Sequence, residues 1–186
     1  MICNVKGPKG PFTGIKKQYI FGIILKYKIK KEKNRFMNTQ IRLLFQKLKK
    51  VDYKDAFTVE SDIFMHLYRD KDKIDIPFVK TFIIVSGWFG TSERSGAWVY
   101  YESTSIEDIK QAVDHLAQIG EVELSNIIDK GIHNYKDEKY ADTYEYPQEW
   151  IDESEEIDHW IHAHEDWLKQ WIYNYLIRNE ENFLKL

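Results

Sequence analysis

Thiol chemistry is almost absent from this sequence. Of its 186 residues only Cys3 is a cysteine, which excludes an intramolecular disulfide, a CxxC redox pair and a cysteine-based zinc site. Proline is scarce too, at four residues, two of them among the first eleven. The longest clearly apolar run, Tyr19 to Leu25, is about a third of the roughly 20 residues that a membrane-spanning helix needs. More lysines follow it, with no small-residue cleavage site, so it does not read as a secretory signal. The patterns GxxxxGK[ST], GxGxxG, GxSxG and HExxH are missing, and with them the common sequence routes to phosphate binding, dinucleotide binding, serine hydrolysis and zinc proteolysis. These absences point to a soluble protein of a reducing cytoplasm, with no catalytic residues, no cofactor and no metal. We expect a binding protein, not an enzyme.

Acidic residues are absent from one end of the chain and crowded at the other. Residues 1–50 contain 14 Lys and Arg against one acid, Glu32, whereas residues 51–186 carry a net charge of −16. A segregation of this size bears on partners and solubility, not on fold. The first 36 residues hold ten cations and two Gly-Pro steps, and do not read as a core. We expect residues 1–36 to be a basic extension, poorly ordered or not native, with Met37 as the natural start. The alternative is a basic arm for nucleic acid or anionic lipid. The domain is expected over 37–186, as a chain of 43% apolar and 15% aromatic residues can bury one real core.

Helical periodicity dominates that domain. Ile41, Leu44, Phe45 and Leu48 share a stripe behind a cap at Asn38 or Thr39, and Ile63, Phe64, Leu67 and Tyr68 share another, with Glu60 and Asp62 near its start in the order a helix dipole favours. Pro77 suits the first turn of a strongly apolar, central helix through Phe78, Phe82, Ile83 and Val85, after which Gly87, Gly90 and Gly96 punctuate the chain. Ser105 with Asp108 caps the clearest helix, which Gly120 stops. A short helix follows over Leu124 to Ile132, then a polar, aromatic loop from Tyr135 to Pro147. One or two helices run on through Ile157, Trp160, Leu168, Trp171 and Tyr175. Trp98 to Tyr101 is the one stretch where a strand competes. The expected fold class is all-α: a single array of six or seven helices.

The strongest chemical feature is the stretch Asp137 to Asp166, with twelve acids and one cation, Lys139. On a helix starting after Pro147, Glu149, Glu153 and Glu156 fall on one face, about 6 Å apart, an approximation to the charge spacing of about 3.4 Å along a DNA strand. Like charges in such a row repel. Their simplest role is a solvated face that keeps the protein soluble. Asp137, Glu138, Asp142, Glu145, Asp152, Glu155 and Asp158 complete the acidic set, and the loop tyrosines Tyr140, Tyr144 and Tyr146 are the aromatic interface candidates. Trp160, Trp171 and Tyr175 lie on the apolar stripe and read as core. His159, His162 and Glu165 lie one turn apart and suggest a metal only weakly; His164 reads as a hydrogen-bonded core histidine.

Two segments carry a resemblance. Arg94-Ser95-Gly96-Ala97-Trp98-Val99-Tyr100-Tyr101-Glu102-Ser103, between an apolar and a capped helix, resembles the central glycine and aromatic motif of the bacterial DNA-mimic protein 19 family. Gly96, Tyr100, Tyr101 and Ser103 agree with that motif, in what reads as a structural helix junction, whereas Arg94, Ser95, Ala97, Val99 and Glu102 depart from it. The segment from Glu156-Ile157-Asp158-His159-Trp160 to Tyr175-Leu176-Ile177-Arg178-Asn179 and Phe183 resembles the family's ending. Together the likeness spans Val51 to Phe183. It implies an all-helical fold and an acidic surface, across a homodimer, that occupies the DNA-binding face of a transcription factor. The expected partner is accordingly a DNA-binding regulator or nucleoid protein, with no direct nucleic-acid binding by the domain and no membrane. The alternatives are an immunity-type protein that neutralises a basic toxin, and a metal protein or enzyme using His159, His162 and Glu165.

Overall fold

A computed structural model describes residues 39–141, 143 and 145–186. The expectations for residues 1–36, for Met37 and Asn38, and for Asp142 and Tyr144, lie outside the described residues. Within them the chain is all-α, without a strand, and no helix is long and apolar enough to cross a membrane. Helix α1 covers 39–48 and buries Ile41, Phe45 and Leu48, spaced by four and three. Helices α2 (Phe57–Tyr68), α3 (Pro77–Ser95), α4 (Ala97–Ser103), α5 (Ile106–Gln118) and α6 (Val122–Lys130) follow, then the one-turn α7 (Glu138–Ala141), α8 (Gln148–Ala163) and α9 (Glu165–Phe183). Single 3-10 turns precede α2 and α3 at Tyr53–Asp55 and Lys71–Lys73.

Helix α3 is the axle. Five consecutive residues, Thr81 to Val85, are buried, as expected of a helix that is apolar all round, and it packs against α2, α4, α5, α8 and α9. Pro77 opens it at its first position, behind Ile76 in the extended conformation that a following proline imposes. Phe183, near the end of α9, closes the core against Phe45 and Phe82, with ring centroids 5.5 Å away in each case.

The helix count exceeds the expected six or seven: there are nine among the described residues. Gly87 and Gly90 do not interrupt α3, because packing on several sides outweighs a helical glycine's cost of about 1 kcal/mol. Trp98 to Tyr101 is not a strand but most of α4, which buries Tyr100 and Tyr101 and leaves Trp98 outward. A four-residue pattern does not discriminate the two periods. The expected loop after Tyr135 contains α7. The C-terminal pattern is two helices, divided at His164, whose Nδ1 pairs with the Trp160 carbonyl at 2.8 Å and whose ring stacks on Trp160. Glu165 and Asp166 then begin α9 on the dipole's favourable side.

Two ends follow the sequence signals closely. The Asp108 amide donates to Ser105 Oγ at the start of α5, and a Schellman arrangement ends that helix, with Glu121 N–H donating to Leu116 and Gly120 N–H to Ala117.

Candidate acidic interface and an inner cleft

The acidic ridge is built by α8. Ser154, Ile157 and Ile161 bury its inner face, which turns Glu149, Asp152, Glu155 and Glu156 to solvent. From Glu149 to Glu156 is about 10 Å of helix axis. Asp137, Glu138 and Glu145, in the segment leading to α8, are exposed as well. No cation among the described residues pairs with Glu149, Asp152 or Glu155; Asp152 accepts a hydrogen bond from Gln148 Nε2 at 2.8 Å, which leaves its charge in place.

The row is not the one that spacing suggested. Glu153 is half-buried and pairs with His133 Nε2, and Glu156 pairs with Lys130 Nζ, so two of the three residues Glu149, Glu153 and Glu156 face counter-groups from the end of α6 and the turn after it. Cross-helix pairing relieves part of the repulsion that a row in isolation would carry. Asp158 leaves the ridge altogether. It is half-buried, and its Oδ1 accepts the Ala97 amide hydrogen at 2.8 Å. Burial raises its pKa, and the Ala97 hydrogen bond opposes that rise.

Tyr140 and Tyr146 are also more internal than an interface loop implies. Both are half-buried in one aromatic cluster: Trp150 stacks on His133 at 4.5 Å and meets Tyr140 at 5.2 Å, and Tyr146 meets Tyr135 at 5.0 Å. Tyr146 Oη donates to Glu102 Oε1 at 3.2 Å. The rings fasten the acidic segment to the body of the protein.

The motif residues form a junction. Gly96 has φ +89°, a conformation open to glycine and strained for any other residue, and joins α3 to α4 beside Trp98 and Asp158. Tyr100 Oη donates to the Ile84 carbonyl at 3.1 Å, Tyr101 Oη to the Ile128 carbonyl at 2.9 Å, and Ser103 Oγ to the Tyr100 carbonyl at 3.1 Å. Burial pushes both phenols above their ordinary pKa. These bonds tie α4 to α3 and α6.

His159 and His162 are exposed, while Glu165 pairs with Lys169. Among the described residues no three His, Cys, Asp or Glu side chains are grouped to hold a metal ion.

Sequence reasoning missed a second feature. Between α2, α3 and α9 lies a cleft of about 570 Å³, and Glu60, read from sequence as a dipole-complementing residue, lines it. Glu60 is only 9% exposed, and burial pushes its carboxyl up to about 7. The available signal was its place three residues ahead of Ile63 and four before Phe64, at the edge of the apolar stripe.

Fold and site together define an all-helical protein with an acidic helical ridge. No protein-family model matches the chain, and no curated protein or solved structure matches it.

Proposed function

We propose that this is an acidic binding protein that acts as a DNA mimic, competing with DNA for the basic surface of a DNA-binding regulator or nucleoid protein. The observation that carries the reading is the shared solvent face of Glu149, Asp152 and Glu155, without a pairing cation among the described residues and flanked by the exposed Asp137, Glu138 and Glu145. The resemblance of Gly96, Tyr100, Tyr101 and Ser103 to the DNA-mimic protein 19 motif supports it. The ridge presents carboxylates on a rigid helix, held by the aromatic cluster, so that little ordering entropy is lost on docking. Its mechanism is occupation: the partner's phosphate-binding groove holds either the ridge or DNA.

Exposed charges are screened over about 8 Å at physiological ionic strength, so complex formation weakens as salt rises. The test is capture of partners from host lysate on the immobilised full chain, elution in a salt gradient, and DNA competition with the recovered protein. A DNA-binding protein that leaves at moderate salt, is displaced by duplex DNA and is lost from the Glu149→Gln, Asp152→Asn, Glu155→Gln variant is the expected result. Binding that ignores salt and survives the triple substitution would overturn the reading.

A further inference from the structure

The cleft between α2, α3 and α9 is unconnected with the ridge chemistry and has the features of a binding site. Glu60 Oε1 is shielded from solvent and has no hydrogen-bond partner among the described residues, and Ser86 Oγ, across the cleft on α3, is in the same state. Two unsatisfied acceptors beside one cavity are costly wherever water is excluded. The three cations that line the cleft do not relieve them: Lys169 is engaged by Glu165, Arg94 Nε donates to the Gly90 carbonyl at 2.7 Å, and Lys54 Nζ lies over the Tyr53 ring, 5.6 Å from its centroid.

Gly90 is a separate observation. It sits within α3, where alanine would be more favourable, yet a Cβ added there would meet nothing within 4 Å. Packing therefore gives no reason for a glycine, and the open space belongs to the cleft that Gly90 lines. The walls are apolar and aromatic, from Phe57, Phe64, Phe89 and Ile172. A volume of about 570 Å³ lies within the range of pockets that enclose small organic molecules.

We propose that this cleft is a binding site for a small amphipathic primary amine, whose ammonium pairs with the Glu60 carboxylate while its apolar body lies among Phe57, Phe64 and Phe89. An ammonium supplies three donors and the charge that Glu60 lacks. Phenylalanine faces attract the same cation. An anionic ligand would meet a buried carboxylate, and a neutral alcohol would leave its charge uncompensated.

The test is titration of the isotopically labelled full chain with 2-phenylethylammonium at slightly alkaline pH, following the backbone amide resonances of Gly87 and Gly90, with 2-phenylethanol as the neutral isostere. The amine is expected to move both resonances at millimolar concentration or below and to bind at least about tenfold more tightly than the alcohol. Glu60→Gln should erase that preference. Gly90→Leu, which fills the space and favours the helix, should block both ligands, and circular dichroism verifies that each variant is folded. The proposal is overturned if millimolar amine leaves the two resonances unmoved, if amine and alcohol bind alike, or if the folded variants bind as the parent does.

Discussion

Asp158, on α8, accepts the amide hydrogen of Ala97 at the start of α4, across 61 residues of sequence and 2.8 Å of space. One residue on, the Trp98 amide donates to Ser154 Oγ at 3.1 Å. The first two amides of α4, which no residue of α4 can satisfy, are thus capped by side chains of another helix. Asp158→Ala should cost about 1 to 2 kcal/mol of stability and Asp158→Asn less, as asparagine retains the acceptor. Urea denaturation of the two variants measures this, and equal stability of parent and Asp158→Ala would show that the cap contributes nothing.

Glu60 gives stability a pH dependence whose sign is fixed by burial. Its pKa is raised from 4.5 to about 7 in the folded protein, so the native state holds a proton that the unfolded chain has released. Stability from this group is present below about pH 4.5 and is lost as pH rises through about 7. Glu60→Gln should therefore match the parent in mild acid and exceed it at alkaline pH, by about 3 kcal/mol at most. Urea midpoints across that window decide the matter; a constant difference between the two proteins would contradict it.

Gly131 and Gly90 should respond in opposite directions to the same substitution. A Cβ on Gly131 would stand 2.3 Å from the Tyr101 ring and 2.9 Å from Ile157 Cδ1, and both neighbours are buried. Gly131→Ala is expected to destabilise by about 1 to 3 kcal/mol through overpacking. Gly90→Ala meets open space in a helix interior and should stabilise by about 0.5 to 1 kcal/mol. Thermal melts of the pair would show the contrast.

Trp150 joins α8 to the aromatic cluster that holds the acidic segment. Its replacement by alanine should loosen α7 while the core around α3 persists. Hydrogen exchange would then accelerate in 138–141 but not in 79–89, and equal acceleration in both would mean that the cluster is part of the global unfolding unit.

How much of this was legible in the sequence depended on whether the signal was local. The Ser105 cap, the Gly120 stop and Pro77 at a helix start are each written within a few residues, and each stands where it was expected. The continuity of α3 through Gly87 and Gly90 was not legible, because what overrides a glycine's helix cost is packing by distant helices.

The sequence by itself determined the all-helical class, from its 3.6-residue apolar periodicity, and the concentration of acid in the last third, from composition. Only the tertiary structure decided which of those acids face solvent. Glu149, Asp152 and Glu155 do, and so does Glu156, though paired with Lys130; Glu153 and Asp158 are half-buried and met by His133 and the Ala97 amide. The same holds for Glu60, whose charge is ordinary on an isolated helix and unrelieved beneath α3. A carboxylate's character is set by water and by partners across space, and neither is encoded by its neighbours along the chain.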